Sequence, residues 1–531
     1  MPIYPNSELL GEQNIEKIEV NANIKNKEEA KEEIKRLVEL VIDLEEKNLI
    51  KETIPYLNEV LILEKKFLGK KHIDVGGTLE WIGLNLSELG MYKKAEEYLS
   101  DSIQITKRHY GQKSSEYAYT LNLIGITFHE RNLLNEAEKK YLNALEIQKS
   151  LNDSDEIQTT LYNLGRVYQD KSDFQKSEEF FKKSLDLIRK NQGIKNEDYV
   201  DSLDSLADLY YKKGLLSKSA KIYEQAVKIG AQLYGENNAN YLLIATGLGQ
   251  VYSEQGLYKK AEKLFYKIIK KQKLINDDNI ATTFNNLGLL YLEQGLYEKA
   301  EDYLFEALKI DEKIYGYESK YIAPSLNNIS IYFREKGELK KAKKFALRAI
   351  KIYEKEYGKN HPDYANSLSN LALIYQDDGL YSEAEELLLK SLTVRENVLG
   401  RSHPATGITL NNLGLNYLLQ GINKKAEPLL LRNLKIIKKS FGENHPKTAI
   451  ALNNLSLIYE DPKQTIPLLK RSLKISKKIF GENHPSTSVA MANLALAYEA
   501  NGEYERAENL LLSSIEIDKN TFGEETINIA T

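Results

Sequence analysis

One twenty-residue pattern constrains this chain more than anything else in it. Between Phe284 and Tyr303 it reads FNNLGLLYLEQGLYEKAEDY. It returns as LNNISIYFREKGELKKAKKF from Leu326, LSNLALIYQDDGLYSEAEEL from Leu368 and LNNLGLNYLLQGINKKAEPL from Leu410. Leu287, Gly288 and Tyr291 have the spacing of one helix face, Gly295 marks a turn, and Tyr297, Ala300 and Tyr303 share a face of a second helix. Gly288 and Ala300 are expected to face each other, so that the two helices touch closely. A regular period of this kind fixes the architecture before any other reading.

The small residue of the first helix recurs at Gly83, Gly125, Gly165, Ala207, Gly249, Gly288, Ser330, Ala372, Gly414, Ser456 and Ala495, in steps of 39 to 42 residues. The short steps coincide with trimmed links at Asn152 to Asp155 and Asn276 to Asn279, and with a shortened turn, EDPKQT, between Glu460 and Thr465. Connections absorb length changes; helices in register do not. Three places after the small residue stands an aromatic: Phe128, Tyr168, Tyr210, Tyr252, Tyr291, Phe333, Tyr375, Tyr417, Tyr459 or Tyr498. We read these as packing residues. Turn glycines (Gly90, Gly214, Gly256, Gly295, Gly337, Gly379, Gly421, Gly502) supply the left-handed residue that ends a helix. The second helix closes on pairs such as Tyr315-Gly316, Tyr357-Gly358 and Phe441-Gly442, followed late in the chain by GKNHP, GRSHP and GENHP. Proline is tolerated there, in the first turn of the next helix.

These features resemble the tetratricopeptide repeat, in its long form of about 42 residues found in kinesin light chains. The carrying residues are the Leu-Gly and aromatic of the first helix, the Gly-x-Tyr turn, the Ala-Glu of the second helix, and the Phe-Gly-x-x-His-Pro link. The resemblance implies an all-α fold: a right-handed α-solenoid of about twelve helix-turn-helix repeats, its first helices lining a concave groove. Residues 1–26 are polar and are expected to be loosely ordered. From residue 27 to residue 531 the chain reads as one solenoid. It has a divergent first repeat at about 34–72, in which Val41 and Thr53 take the small places and Asn48 the turn. Regular repeats follow to about 523, and an incomplete helix at 524–531.

A groove of that shape suits a protein or peptide segment. Two places before the small residue stand Asn163, Asn286, Asn328, Asn370, Asn412, Asn454 and Asn493. One place earlier stand Asn122, Asn285, Asn327, Asn411 and Asn453. The resemblance implies that both columns lie on the concave face and that the first grips a peptide main chain. An amide offers one donor and one acceptor to any peptide unit. Asparagine costs roughly 0.6 kcal/mol against alanine inside a helix, so such a column needs compensation. Two readings follow: gripping a peptide, or bonding from repeat to repeat. An acidic column stands five places after the small residue: Glu88, Glu130, Asp170, Glu254, Glu293, Glu335 and Asp377, with Lys212 the exception and an end at Leu419. An acidic rim would steer a basic partner; a solvated helix end is the other reading.

Other functions find little support. The chain has 531 residues and a net charge of −4, without the basic face that nucleic-acid binding needs. No apolar run reaches the length of a membrane span, and no secretory leader is recognisable. The chain has no cysteine, so thiolate chemistry and disulfides are excluded; a cytoplasmic location is expected. Five of the seven histidines (His72, His361, His403, His445, His484) sit in successive links, about forty residues apart, and read as repeated turn chemistry. Trp81 takes an asparagine-column place and reads as a packing residue near the amino-terminal end. No catalytic constellation, metal site or cofactor is expected. The function read from the sequence is a non-catalytic adaptor. The alternative is the recognition arm of a larger effector, such as a caspase-like CHAT peptidase, carried as a further domain or a separate subunit.

Overall fold

The computed structural model describes residues 24–46, 49–89 and 91–522. Among them 24 α-helices alternate in pairs, joined by short turns, with one 3₁₀ turn at Lys320–Ile322. We call the first helix of each pair A and the second B. Typical pairs are Ser154–Asp170 with Phe174–Asn191, and Ile280–Glu293 with Tyr297–Tyr315. Residues 1–23 of the loosely ordered segment expected at 1–26, the incomplete helix expected at 524–531, and the turn residues Asn48 and Gly90 lie outside the described residues.

The chain divides into two compact units, residues 1–202 and 203–531. Within each, every hairpin packs on the next, and A helices of neighbouring repeats also touch each other, as Ile280–Glu293 touches Ala323–Glu335. Among the described residues no B–B pair approaches as closely, so within each unit the A helices line the inner side. The apolar core runs between repeats. One stretch gathers Ala372, Leu388, Leu413, Leu430, Leu452 and Ile475, which span three consecutive hairpins. A repeat that cannot bury its own apolar face borrows its neighbour's, which is what makes the array one-dimensional.

The small residues allow close approach. A Cβ placed on Gly288 would lie 2.7 Å from Leu304 Cγ, and one on Gly165 2.6 Å from the Phe181 ring. Across the hairpin the opposite small residue binds the backbone directly. Ser177 Oγ donates to the Gly165 carbonyl at 2.8 Å, and Ser330 Oγ to that of Ala342 at 3.0 Å. Of the core aromatics, Tyr168, Tyr210, Tyr252, Tyr291, Phe333, Tyr417 and Tyr498 are buried. The Ala-Glu motif has two jobs: the alanine packs, and the glutamate accepts a tyrosine hydroxyl from the next repeat. Tyr291 donates to Glu262 at 2.5 Å and Tyr459 to Glu427 at 3.0 Å; Tyr168 does the same to Glu138.

Two local expectations are revised. The shortened turn spans residues 457–461, and Thr465 lies inside the following helix, Pro462–Phe480, which Asp461 caps. Where the turn or link lacks glycine, Asn132, Asn152, Ser172 and Asn276 take its left-handed conformation, at φ 58°, 55°, 58° and 51°.

Candidate functional site

The link histidines cap helices. Nδ1 of His72, His361, His403, His445 and His484 each accepts the N–H two residues on, at 3.0 to 3.3 Å. This satisfies one of the donors that a helix start leaves open. Among the described residues no cluster of histidine and acidic side chains could hold a metal ion, and no helix is long and apolar enough to cross a membrane.

The asparagine columns lie on the A helices and largely bond to each other. The later-column amide reaches back one repeat: Asn328 Nδ2 donates to Asn285 Oδ1 at 3.2 Å, Asn454 to Asn411 at 2.9 Å and Asn493 to Asn453 at 2.7 Å. The earlier column reaches forward to a hydroxyl five places before the next small residue. Asn122 donates to Thr160 at 2.7 Å, Asn285 to Ser325 at 2.7 Å and Asn327 to Ser367 at 3.3 Å. Where that place holds Ala451 or Ala490, the amides of Asn411 and Asn453 turn instead to Asn412 and Asn454, at 3.4 Å in both cases. Asn163 is buried, with no partner for its Nδ2. Asn286 and Asn370 are half-buried and make no hydrogen bond among the described residues, and Asn412 keeps its own amide N–H groups unused.

The hydroxyl column was not singled out in the sequence, although it has the same period. Thr78, Thr120, Thr160, Ser202, Thr283, Ser325, Ser367 and Thr409 are all buried. Each faces a repeat junction, and several meet a polar side chain near the end of the preceding B helix. Ser325 donates to Asp311 at 2.5 Å, Thr160 to Gln148 at 2.8 Å, and Thr409 accepts from Arg395 at 2.7 Å. Burial raises the Asp311 carboxyl to about 6, against a lowering by the Ser325 bond, and lowers the Arg395 guanidinium to about 10. Serine and threonine are common enough in helices that only the register gives the column away.

The acidic column also bonds between repeats, to the residue one place earlier in the preceding A helix. His129 meets Asp170 at 2.7 Å, Tyr211 donates to Glu254 at 3.1 Å, Ser253 to Glu293 at 3.2 Å, and Arg334 to Asp377 at 3.2 Å. Arg166 pairs with Glu130 at 3.3 Å, and Glu335 with Arg334 at 2.8 Å. Glu88 is exposed and raised, by burial of its surroundings and then by Glu45. Water reaches Glu293, yet protein crowds it on most sides. That enclosure, together with Glu254, pushes its carboxyl up to about 7. Lys212, the exception, pairs with Asp208 on its own helix at 2.8 Å. Beyond Leu419 the inner face turns apolar: Ile450, Leu457, Val489 and Leu496 are 55 to 60% exposed.

Stacked helical hairpins that present an inner face of this kind define a repeat scaffold for macromolecular contact. The family model for the tetratricopeptide repeat matches residues 74–150, 156–232, 206–273, 279–355, 321–397, 363–430 and 460–520, and the chain belongs to that family. Solved structures resemble it in part. Nearly identical TPR-like repeats from Podosopora anserina share 26% identity over 37% of this chain and 95% of theirs, at a TM-score of 0.32. BtubC from P. vanneervenii shares 17% over 50% of this chain and 92% of its own, at 0.32. A Rap protein complexed with competence and sporulation factor shares 15% over 70% of this chain and 99% of its own, at 0.47. No curated protein matches the chain.

Proposed function

We propose that this chain is a non-catalytic scaffold that holds an extended segment of a partner protein along the inner face of its A helices. The observation that carries the reading is the set of amides left over from the ladder. Asn286, Asn370 and Asn412 occupy one helical register, and each has donors that no described residue uses. Neighbouring helices stand about 8–10 Å apart, so one repeat spans about three residues of an extended chain. The asparagines bonded into the ladder order the stack in this reading.

The rest of the face indicates the chemistry of the segment. Glu254, Glu335 and Asp377 outnumber the one Arg334 between them and leave negative charge along one stretch, and Ile450, Leu457, Val489 and Leu496 supply apolar contact further on. The partner segment is basic toward one end and apolar toward the other. Charge steers and sets register; the apolar stretch supplies more of the affinity.

The test starts from capture of a partner by the tagged chain and its identification by mass spectrometry. The triple variant N286A/N370A/N412A is then compared with N285A/N328A for partner binding and for melting. Weakened binding by the first at unchanged melting temperature supports the reading. If the first binds normally, the leftover amides do not grip the partner.

A further inference from the structure

Within the second unit, turns and links that are remote in sequence meet. His445 and Pro446 close over Gly214, where an added Cβ would stand 2.6 Å from Pro446 Cδ and 3.0 Å from the His445 ring. One repeat further on, on both sides, His484 closes over Gly256, with a Cβ distance of 2.8 Å. Both glycines are left-handed, at φ 64° and 70°. The contact recurs at the repeat period, so it belongs to the superhelical geometry of this unit.

The cap fixes the chemistry of these rings. Nδ1 of His445 accepts from the Lys447 N–H, and Nδ1 of His484 from that of Ser486, each at 3.0 Å. A neutral ring that accepts at Nδ1 carries its proton on Nε2. In His445 that N–H donates to the Lys212 carbonyl at 3.2 Å, across 233 residues. In His484 the Nε2–H is buried, and the nearest backbone acceptor is the Glu254 carbonyl, which it faces without an aligned hydrogen bond. Each ring also stacks on the aromatic that closes its own B helix, Phe441 at 4.4 Å and Phe480 at 4.5 Å. His445 and His484 are 3% and 8% exposed. The same cap at His72, which has no such partner, leaves its side chain 40% exposed.

We propose that these two links form a clasp: His445 and His484 fasten one edge of the second unit onto the turns at Gly214 and Gly256, and acid releases it. Protonation at Nδ1 would place a proton where the cap N–H already points, and a charge at a dry junction. Of the charged and titratable groups around the clasp, Lys447 acts on His445 and Glu254 on Lys447. Lys212 offers only its carbonyl, its ammonium pairing with Asp208, and Tyr211 reaches Glu254. Lys447 opposes a positive His445, while Glu254 is held by the Tyr211 hydroxyl. Burial lowers His445 to about 4 and lowers His484 as well. The closed form therefore holds these rings below the ordinary 6.5. Closure is intact above that pH and is lost as the pH falls from 6.5 toward 4, by about tenfold per pH unit for His445. The clasp stands whether or not the asparagine amides grip a partner.

The chain has no cysteine, so a donor and an acceptor dye can be placed on S217C and N444C alone. Energy transfer should be high at pH 7.5 and fall between pH 6.5 and 4 while the helical circular dichroism persists. Gly214→Ala should lower it at pH 7.5. Gly337→Ala should not: it carries the same left-handed cost, at φ 78°, but its Cβ would meet nothing within 4 Å. The pair H445N/H484N keeps a capping side chain and removes the ring, and should read as open at every pH. Equal transfer in the two glycine variants at pH 7.5 overturns the clasp. Unchanged transfer on acidification overturns the acid release. If acid melts the helices first, release is rejected as a distinct step and the glycine pair decides the clasp itself.

Discussion

Asp311 sits at the end of a buried chain of polar groups: Asn328 donates to Asn285, Asn285 to Ser325, and Ser325 to Asp311. Its carboxyl rises from an ordinary 3.8 to about 6, because burial outweighs the single hydroxyl bond. A raised acid favours the protonated fold, so this group costs stability above pH 6 and the cost vanishes as the pH falls toward 3.8. Asp311→Asn should therefore stabilise the protein by about 1–3 kcal/mol at pH 7.5 and by almost nothing at pH 4. Urea melts at the two pH values check this, and an equal gain at both would refute it. Asn285→Ala breaks two bonds of the same chain and should destabilise by about 1–3 kcal/mol in the same melts. The asparagine columns were plain in the sequence, and so was the choice between ladder and grip. What could not be read was which amides the ladder consumes. That depends on hydroxyls at Thr160, Ser325 and Ser367, whose significance appears only once neighbouring A helices are placed side by side.

Elements here are set by residues that act at their ends. Most turns use glycine, and the period of those glycines let the hairpins be read directly. The turn after the Ser154–Asp170 helix uses Ser172 in the left-handed conformation, at φ 58°. A side chain with a Cβ pays about 1 kcal/mol there. Ser172→Gly should raise stability by about 0.5–1 kcal/mol, seen as a higher melting temperature. The opposite sign is expected inside that helix. A methyl at Gly165 would stand 2.6 Å from the Phe181 ring, so Gly165→Ala should destabilise by about 1–3 kcal/mol. The contrast tests whether the small residue serves packing or only the backbone. The inner helix of the next-to-last repeat shows where periodicity misled. The spacing puts its shortened turn at 460–465, whereas the turn occupies 457–461, because Asp461 and Pro462 already cap and start the following helix.

A molecule built of nearest-neighbour contacts need not unfold as one. Each hairpin's stability is its own plus that of two junctions, and a defect weakens its surroundings first. The single tryptophan makes this measurable. Trp81 lies in the first unit, where its indole N–H donates to Glu45 at 2.7 Å, so its fluorescence reports on the repeats around residues 45–86. Far-ultraviolet circular dichroism reports on all helices together. Coincident transitions by the two probes would mark a single cooperative block. The expected outcome is that they separate in urea. Asp311→Asn, in the second unit, should then move the dichroism transition at pH 7.5 and leave the tryptophan transition where it was. Gly83→Ala, on the helix of Trp81, would set a methyl 2.6 Å from Leu99 Cγ and should move the tryptophan transition and only the matching part of the dichroism. If either variant shifts both probes equally, the array couples over its whole length and the nearest-neighbour account of this chain fails.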